Sequence, residues 1–319
     1  MLLGIYIVTY NRSKYLGNTL DSLLASPLSN CKITVLNNAS TDDTVSVVVA
    51  YQSQFENLDL FTHKNNVGAS ANILRALEMS DADYTWVLCD DDQLNLADVD
   101  EMMEIMKDGQ VDLIHVGAHA EIKWDNAGKK TTPKELLNSG YHYFKASSFT
   151  PCNIFRTDKF QKKYLIAGYN NIANAYCYMP FIANVYEDNG LIYLTNTRLV
   201  TAIVGNQHYN TESWFFWWLN SCKTLKTKEG VRIAFFDHFS DSADDVSWLH
   251  SIMRELYLKD ESYKTTILNF VNTYFNDNEK KAFFKLFNSD MKNELIKNLR
   301  QKIKGKIKML IGYKTASAN

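Results

Sequence analysis

Three consecutive carboxylates follow a short apolar segment in the first third of the chain. Asp90, Asp91 and Asp92 come directly after residues 84–89, whose length and composition are typical of a buried β-strand. In an open parallel α/β sheet the ligand crevice lies at the carboxyl ends of the strands, so acids there can hold a hard divalent cation against a diphosphate. Such a triplet can also simply end a strand or cap the next helix. The triplet is therefore either a metal-binding site or an acidic segment that only ends the strand or caps the next helix.

Three further polar segments follow apolar runs earlier in the chain. They are Thr9-Tyr10-Asn11-Arg12, Asn37-Asn38-Ala39-Ser40-Thr41-Asp42 and Asn66-Val67-Gly68-Ala69-Ser70-Ala71-Asn72. Each stands at the expected carboxyl end of a strand. A parallel sheet would therefore gather all three beside the aspartate triplet, in one crevice.

Strands and helices alternate over the first part of the chain, which predicts an α/β fold with a mostly parallel sheet flanked by helices. The predicted strands are 3–9, 32–36, 58–62, 84–89, 111–116, 153–155 and 190–194, and the predicted helices are 14–25, 41–53, 69–79 and 96–107. Residues 119–150 are polar and less regular, which favours an insertion or an acceptor loop. After Ser213 the pattern is helical throughout, so we place a domain boundary near residue 212.

Composition narrows the class of protein. Lys and Arg number 34 against 36 Asp and Glu, a net charge of −2, so nothing indicates a nucleic-acid binder. Five scattered cysteines argue against a disulfide framework or a zinc site. The apolar start lacks a basic segment before it, and no apolar run is long enough to span a bilayer, so we expect a cytoplasmic protein.

In this order, the four polar segments resemble the motifs of family-two glycosyltransferases of GT-A fold: T-Y-N-R, V-D-N-x-S-x-D, N-x-G-x-x-x-N and D-x-D. The resemblance is close over residues 1–117 and loose over 150–210. It implies a GT-A (Rossmann-like) nucleotide-sugar-binding and catalytic domain over 1–212 and a helical C-terminal region over 213–319. It also implies transfer of a sugar from a nucleotide-sugar donor to a hydroxyl of a glycan or lipid-linked glycan acceptor.

The resemblance assigns the nucleotide-sugar-binding residues, which are Thr9, Tyr10, Asn11, Arg12, Asn37, Asn38, Asn66, Gly68, Asn72, Asp90 and Asp91. Tyr10 could stack on a pyrimidine. Asn37 stands where the family commonly has aspartate. Because a carboxylate only accepts hydrogen bonds whereas an amide also donates them, the base is not restricted to uracil. UDP is the first choice, and CDP, GDP and dTDP stay open.

The resemblance also implies a divalent cation. Asp90 and Asp92 correspond to the ends of D-x-D, whose last member typically ligates the metal. Hard oxygen ligands suit Mn²⁺ or Mg²⁺ and argue against zinc. His208 lies in a segment that resembles a flexible loop closing on the diphosphate, where it would be a third metal ligand or a phosphate contact. A lone histidine more often has an ordinary structural role.

The catalytic base is not evident from the sequence. Inversion at an anomeric carbon requires a carboxylate beside the acceptor hydroxyl. In the family that acid begins a helix some ~10–13 residues before a later strand, a spacing that boundary errors make approximate. Here the window holds residues 176–179, which include no acid. The remaining candidates are Glu187, Asp188 and Glu212.

The last segment is strongly basic. Residues 292–314 carry eight Lys and Arg against one acid, Glu294, with apolar residues at helical spacing. This pattern predicts a basic amphipathic helix on an anionic membrane surface, which would place the protein peripherally on the inner face of the cell membrane. The alternative is a helix packed on the protein core.

These features favour an inverting, metal-dependent glycosyltransferase in bacterial polysaccharide or lipopolysaccharide synthesis. One alternative is a catalytically inactive GT-A homologue that binds nucleotide or glycan as a scaffold. A nucleotidyltransferase is a weaker alternative, because it requires a glycine-rich loop after the first strand and the first glycine there is Gly17.

Overall fold

The computed structural model describes residues 1–118, 122–125, 127–201, 211–239, 252–256 and 259–289. The chain divides into two compact units, Met1–His238 and Phe239–Asn319. The domain boundary that the sequence predicts near residue 212 marks the end of the nucleotide-sugar-binding domain. It stays a prediction.

The strands and helices follow one another in the order expected for an α/β protein. The strands are β1 (Leu3–Thr9), β2 (Lys32–Asn37), β3 (Leu58–Thr62), β4 (Tyr84–Cys89), β5 (Gln93–Leu94), β6 (Leu113–His115), β7 (Gly117–Ala118), β8 (Lys129–Thr131), β9 (Asn153–Arg156), β10 (Ile192–Leu194) and β11 (Val200–Thr201). The helices are α1 (Ser13–Leu24), α2 (Thr44–Gln52), α3 (Ala69–Met79), α4 (Asp100–Asp108), α5 (Pro133–Asn138), α6 (Tyr143–Ser147), α7 (Thr157–Lys163), α8 (Leu165–Asn170), α9 (Met179–Glu187), α10 (Thr211–Cys222), α11 (Lys228–Phe239) and α12 (Glu261–Tyr274).

The main sheet of the described chain has eight strands in the order β3-β2-β1-β4-β9-β6-β10-β8. Strands β3, β2, β1 and β4 are parallel neighbours. Strand β9 is antiparallel to both β4 and β6, and β10 is parallel to β6. Six strands therefore point the same way, which confirms the predicted mostly parallel sheet flanked by helices.

The central strands are covered on both faces, which explains their continuous apolar sequences. Residues of β1 and β4 such as Ile5, Ile7 and Trp86 are fully buried. The Trp86 indole Nε1–H donates to the Pro151 carbonyl at 2.7 Å. This sheet is the rigid base from which the polar segments project.

A second, three-stranded sheet in the described chain has the order β5-β11-β7. Strand β5 follows the aspartate triplet at once, and Thr201 of β11 lies opposite Gln93. Gly117 of β7 must be glycine, because a Cβ there would lie 2.0 Å from the Val200 carbonyl oxygen. The small sheet therefore fixes the chain immediately after Asp92.

The segment predicted to be irregular, 119–150, is partly ordered in its described residues, so that prediction was wrong in part. Strand β8 pairs antiparallel with β10 at the end of the main sheet. Helix α5 begins with a capping box, in which the Thr132 hydroxyl accepts from the Glu135 N–H and the Glu135 carboxylate accepts from the Thr132 N–H.

Within the first unit, Asp237 of α11 binds the start of α6. Its carboxylate accepts the Phe144 N–H at 2.6 Å and the Lys145 N–H at 3.2 Å, and it lies 3.3 Å from His142 Nδ1. Burial raises the pKa of Asp237, against the opposing effect of His142.

The second unit contributes α12, whose cap is Asp260, and a further helical stretch over residues 277–289. Phe283 and Phe287 stack with ring centroids 5.5 Å apart. Within the part of the chain that the structure describes, no helix is long and apolar enough to cross a bilayer. The predicted basic helix over 292–314 lies outside the described residues.

Candidate active site

The crevice lies at the carboxyl ends of the parallel strands, where the strand order reverses beside β1. From β1 the chain continues to β2 and β3 on one side, then crosses over to β4 on the other. Ligands of open α/β sheets bind at such a switch point. The four polar segments of the sequence follow β1, β2, β3 and β4 in turn, so the structure brings them to one edge.

Asp90 is the most perturbed acid of this edge. Its side chain is buried, and the Asp90 carbonyl accepts from the Thr19 hydroxyl at 3.0 Å. Among the described residues, Asp90 Oδ2 has no hydrogen-bond partner of normal geometry, and neither has the buried Thr9 Oγ1. Burial raises the pKa of Asp90 to about 7, against the opposing effects of the Thr9 hydroxyl and of Arg12.

Arg12 connects the loop after β1 to the aspartate triplet. Its guanidinium donates to Asp91 in a partly buried ion pair, and its Nε lies 3.9 Å from Asp90 Oδ1. The same guanidinium lies over the Tyr15 ring, 5.8 Å from the centroid. Arg12 therefore fixes the carboxylate of Asp91 and leaves the second oxygen of Asp90 open to another ligand.

The loops after β1 and β2 form one hydrogen-bonded unit. The Asn11 N–H donates to Ser40 Oγ at 2.9 Å, and Asn11 Oδ1 accepts the Thr41 N–H at 2.7 Å. Asn11 takes a positive φ of 53°, which an asparagine tolerates. Tyr10 is 44% exposed, so its ring is free to stack on a flat ligand.

Asn37 is fully buried, and its amide is used within the protein. Its Oδ1 accepts the Ser40 N–H at 2.9 Å, and its Nδ2 donates to Thr62 Oγ1 at 3.3 Å. The sequence assigned this residue to the nucleotide base. The structure places it at the right edge but beneath the surface.

Asn38 and Asn66 hold the start of α3. Asn38 Nδ2 donates to Asn66 Oδ1 at 2.8 Å, and Asn38 Oδ1 accepts the Val67 N–H at 2.9 Å. Asn66 Oδ1 also accepts the Gly68 N–H. Gly68 has a φ of 87°, which favours glycine, and α3 begins at the next residue. The N-terminus of α3 is thereby directed at the crevice edge.

Asn72 is buried in α3 and bonds to two neighbours. Its Nδ2 donates to the Leu36 carbonyl at 2.8 Å, and its Oδ1 lies 2.9 Å from His63 Nε2. His63 was not predicted from the sequence, because it belongs to no motif. The only available signal was its position directly after β3.

The candidate catalytic bases are not brought together with the crevice. Glu187 ends α9, where it pairs with Lys226 at 3.1 Å, and Asp188 accepts from Asn184 Nδ2 at 2.8 Å. Because β10 points the same way as β4, both acids precede it at the edge opposite the aspartate triplet. Glu212 lies in the first turn of α10, and it is half-buried.

Asp92 is half-buried and leads directly into β5, which pairs with β11. Residues 202–210, and His208 with them, lie outside the described residues. Within the described part of the chain, no three His, Cys, Asp or Glu side chains cluster as a ready metal site.

The profile described as Glycosyl transferase family 2 matches residues 4–169, which is more than half of the chain. The chain belongs to glycosyltransferase family 2. The match spans all four polar segments of the crevice, so the family motifs and the observed site coincide. The predicted resemblance is confirmed.

Two curated relatives illustrate the family. The abequosyltransferase RfbV of Salmonella typhimurium is 30% identical over 117 residues, which is 35% of this chain and 34% of the relative. The poly(ribitol-phosphate) β-N-acetylglucosaminyltransferase TarS of Staphylococcus aureus is 25% identical over 49% of this chain and 28% of its own. The chain thus matches only about a third of the length of these relatives.

Solved structures confirm the GT-A fold with its helical C-terminal region. S. aureus TarS 1–349 in complex with UDP-GlcNAc has a TM-score of 0.64 at 17% identity and covers 86% of this chain and 82% of that one. A mannosyltransferase from Pyrobaculum calidifontis in complex with GDP-Man and Mn²⁺ has a TM-score of 0.53 at 12% identity, covering 88% and 83%. At these identities the likeness concerns the fold.

Proposed function

We propose that this family-2 glycosyltransferase transfers a sugar, with inversion and with a divalent metal, from a nucleotide-sugar donor to a hydroxyl of a glycan acceptor. The observation that carries the proposal is the burial of the Asp90 side chain at the crevice. A buried carboxylate oxygen that has no hydrogen bond of normal geometry among the described residues, at the switch point of the sheet, is costly unless a ligand binds it. Family membership supports the same conclusion.

Asp90 and Asp92 are the residues that would hold Mn²⁺ or Mg²⁺, and His208 is the proposed third ligand. Their donor set fits, because Asp90 Oδ2 is a hard oxygen with no hydrogen bond of normal geometry among the described residues. When bound, the cation supplies a Lewis acid that stabilises negative charge on a departing diphosphate.

The chain's own residues position the donor. Tyr10 offers an exposed ring to the base, and Arg12 holds Asp91 in place. The Asn38–Asn66 pair fixes the turn before α3, so the N-terminal N–H groups of that eleven-residue helix are available to a phosphate. We propose Thr9, Asn11 and Gly68 as further contacts of the nucleotide sugar.

UDP is our first choice of nucleotide, with CDP, GDP and dTDP as the other candidates. TarS is solved with UDP-GlcNAc and the archaeal mannosyltransferase with GDP-Man, so the fold accommodates more than one base. A surface glycan, free or lipid-linked, is the proposed acceptor, because TarS acts on poly(ribitol-phosphate). The proposed location is the cytoplasmic face of the membrane.

Inversion requires a base near the acceptor. Of the three proposed carboxylates, Glu212 is the one we favour, because it lies just after residues 202–210, whose preceding strand β11 pairs beside Asp92. Glu187 and Asp188 are weaker proposals, because they stand at the opposite edge of the sheet.

Hydrolysis of nucleotide sugars with Mn²⁺ tests the proposal, because a working transferase slowly hydrolyses its own donor. Asp90→Ala and Asp92→Ala together should lower this hydrolysis by about 100-fold or more, a loss comparable to that of one transition-state electrostatic contact. Glu56→Ala, an exposed acid before β3, is the matched control and should retain it. Full activity in the double variant would contradict the proposal.

A catalytically inactive nucleotide- or glycan-binding scaffold is the second candidate. It is favoured by the start of α9, where residues 176–179, the three before the helix and its first residue, include no acid. Thermal shift and donor hydrolysis together separate the two, because a bound nucleotide sugar stabilises the native state in either case but only a working transferase hydrolyses it. Stabilisation by a donor that is never hydrolysed would indicate the scaffold.

A further inference from the structure

A residue other than Asn37 must form the hydrogen bond that recognises the edge of the nucleotide base. That amide is fully buried, with Oδ1 bonded to Ser40 and Nδ2 bonded to Thr62. Because the side chain has no exposed surface, a ligand could reach the amide only if neighbouring residues moved. A different polar group at the ends of β2 and β3 must therefore make the contact that distinguishes one base from another.

His63 stands beside Asn37 at this position. It follows β3 directly, and its backbone N–H donates to the Asn37 carbonyl at 2.9 Å. Its ring is half-buried and packs edge-on against Phe61, with centroids 5.0 Å apart. Both the backbone and the ring of His63 are thus fixed at the crevice edge.

Asn72 determines which ring nitrogen of His63 carries the hydrogen. Asn72 Nδ2 donates to the Leu36 carbonyl, so its Oδ1 faces His63 Nε2 at 2.9 Å. The opposite amide orientation would set two oxygens against each other. His63 Nε2 must therefore be the donor, and in the neutral imidazole Nδ1 is then an acceptor.

Nδ1 remains available to a ligand. Among the described residues, the ring of His63 makes a single hydrogen bond, the one from Nε2 to Asn72. Nδ1 is accessible, because it makes no hydrogen bond and yet is not among the buried polar atoms of the described chain that lack one. The structure therefore holds a hydrogen-bond acceptor of fixed orientation next to the residue that the sequence assigned to the base.

We propose that His63, oriented by Asn72, is a specificity-determining residue that accepts a hydrogen bond at Nδ1 from the imide N–H of a uracil base. Uracil presents N3–H as a donor, whereas cytosine presents a lone pair at N3 that would face the lone pair of Nδ1. The inference rests on the proposed function and names its donor as a uridine diphosphate sugar.

Calorimetric titration of the full-length protein with UDP and CDP, in the presence of Mn²⁺, tests the proposal. The unaltered protein should bind UDP about 10-fold more tightly than CDP, which corresponds to one hydrogen bond of about 1.4 kcal/mol. His63→Phe keeps a ring against Phe61 but lacks the acceptor, so UDP should lose about 10-fold in affinity while CDP loses none. His63→Gln can still donate to Asn72 and accept from the base, so it should retain most of the preference.

Ribose 5-diphosphate, which has no base, serves as the control ligand. Its affinity should be the same in the unaltered protein and in His63→Phe. A His63→Phe protein that still prefers UDP overturns the proposal, as does an equal loss of UDP and ribose 5-diphosphate binding, which would mark His63 as purely structural. Preference of the unaltered protein for CDP overturns it too. If the unaltered protein binds neither UDP, CDP nor ribose 5-diphosphate, the proposed function itself fails.

Discussion

Asp42 is a single residue that supports the start of two helices beside the crevice. Its Oδ2 accepts the Ser13 N–H at 2.9 Å at the start of α1, and its Oδ1 accepts the Thr44 N–H at 3.1 Å at the start of α2. Hydrogen bonds from Thr44 and Ser13 lower the pKa of Asp42 to about 2, against the opposing effect of burial. The carboxylate thus satisfies N-terminal N–H groups that would otherwise lack partners.

Asp42→Ala should lower the free energy of unfolding by about 1–2 kcal/mol, the usual cost of losing a helix cap. Asp42→Asn keeps an acceptor oxygen and should cost less. Because the folded pKa is depressed, the stabilisation is present above the unfolded pKa of about 3.9 and is lost as the pH falls toward 2. Urea unfolding measures both variants, and equal stability of Asp42→Ala and the unaltered protein would refute the capping role.

His115 is a buried residue with a defined proton position. Ser147 Oγ donates to the Tyr143 carbonyl at 2.7 Å, so it accepts from His115 Nε2–H at 3.0 Å. His115 Nδ1 then accepts the Tyr141 hydroxyl at 3.0 Å. Burial lowers the pKa of His115 to about 3, so the ring stays neutral in the folded protein.

The His115 contribution to stability should depend on pH. Below the unfolded pKa of about 6.5 the unfolded chain binds a proton that the folded chain does not, so stability falls by up to about 1.4 kcal/mol per pH unit. His115→Gln lacks this effect, so its deficit in unfolding free energy should be larger at about pH 7.5 than at about pH 5. Urea unfolding at the two pH values measures the difference, and an equal deficit at both would rule the mechanism out.

At the scale of elements, the small sheet of β5, β11 and β7 links Asp92 to the start of residues 202–210. Its closest contact is between Gly117 and Val200, where a Cβ would lie 2.0 Å from the carbonyl oxygen. Gly17, inside α1, offers a contrast, because the nearest heavy atom to its Cβ would be Tyr51 Oη at 3.8 Å.

Gly117→Ala should therefore destabilise the protein by at least about 1–3 kcal/mol, the cost of overpacking, and should also lower donor hydrolysis. Gly17→Ala is the matched substitution and should instead stabilise by about 1 kcal/mol, because alanine favours a helix interior. Thermal unfolding of both variants measures whether each substitution lowers or raises the stability. A Gly117→Ala protein that melts at the unaltered temperature would show that β7 and β11 are not in close contact.

Elements with strong local patterns could be predicted from the sequence. Strands Leu3–Thr9 and Tyr84–Cys89 and helix Ala69–Met79 have the predicted bounds, because continuous apolar runs and helical periodicity define them locally. Strand β8 was missed, because Lys129–Thr131 is polar and becomes a strand only by pairing with β10.

The site was predictable where its residues belong to motifs, and not where roles depend on three-dimensional contacts. The gathering of the four segments followed from strand direction. The enclosure of Asn37 by Ser40 and Thr62 could not be read from the sequence, and neither could the pairing of His63 with Asn72. The edge at which Asp188 lies depends on the direction of β10, which distant strand pairing sets.

At the scale of the whole molecule, we expect the basic segment 292–314 to determine where the protein works. Eight basic residues at helical spacing with apolar ones should add membrane affinity of about 1 kcal/mol for each charge near an anionic surface. Removing residues 292–319 should therefore abolish most co-sedimentation with vesicles containing phosphatidylserine while donor hydrolysis persists. Vesicles of phosphatidylcholine alone are the control, and unchanged sedimentation of the shortened protein would exclude the membrane role.

The position of β9 between β4 and β6 has a consequence for synthesis on the ribosome. Residues 113–115 emerge well before residues 153–156, yet β6 can join the sheet only through β9. At about 5–20 residues per second, synthesis of the residues between β6 and β9 takes several seconds. During this time β1 to β4 can pair, whereas the apolar strand β6 has no partner. If translation stopped in this interval, the released chain would have an incomplete sheet with an unpaired edge strand. Chaperones bind chains of this kind.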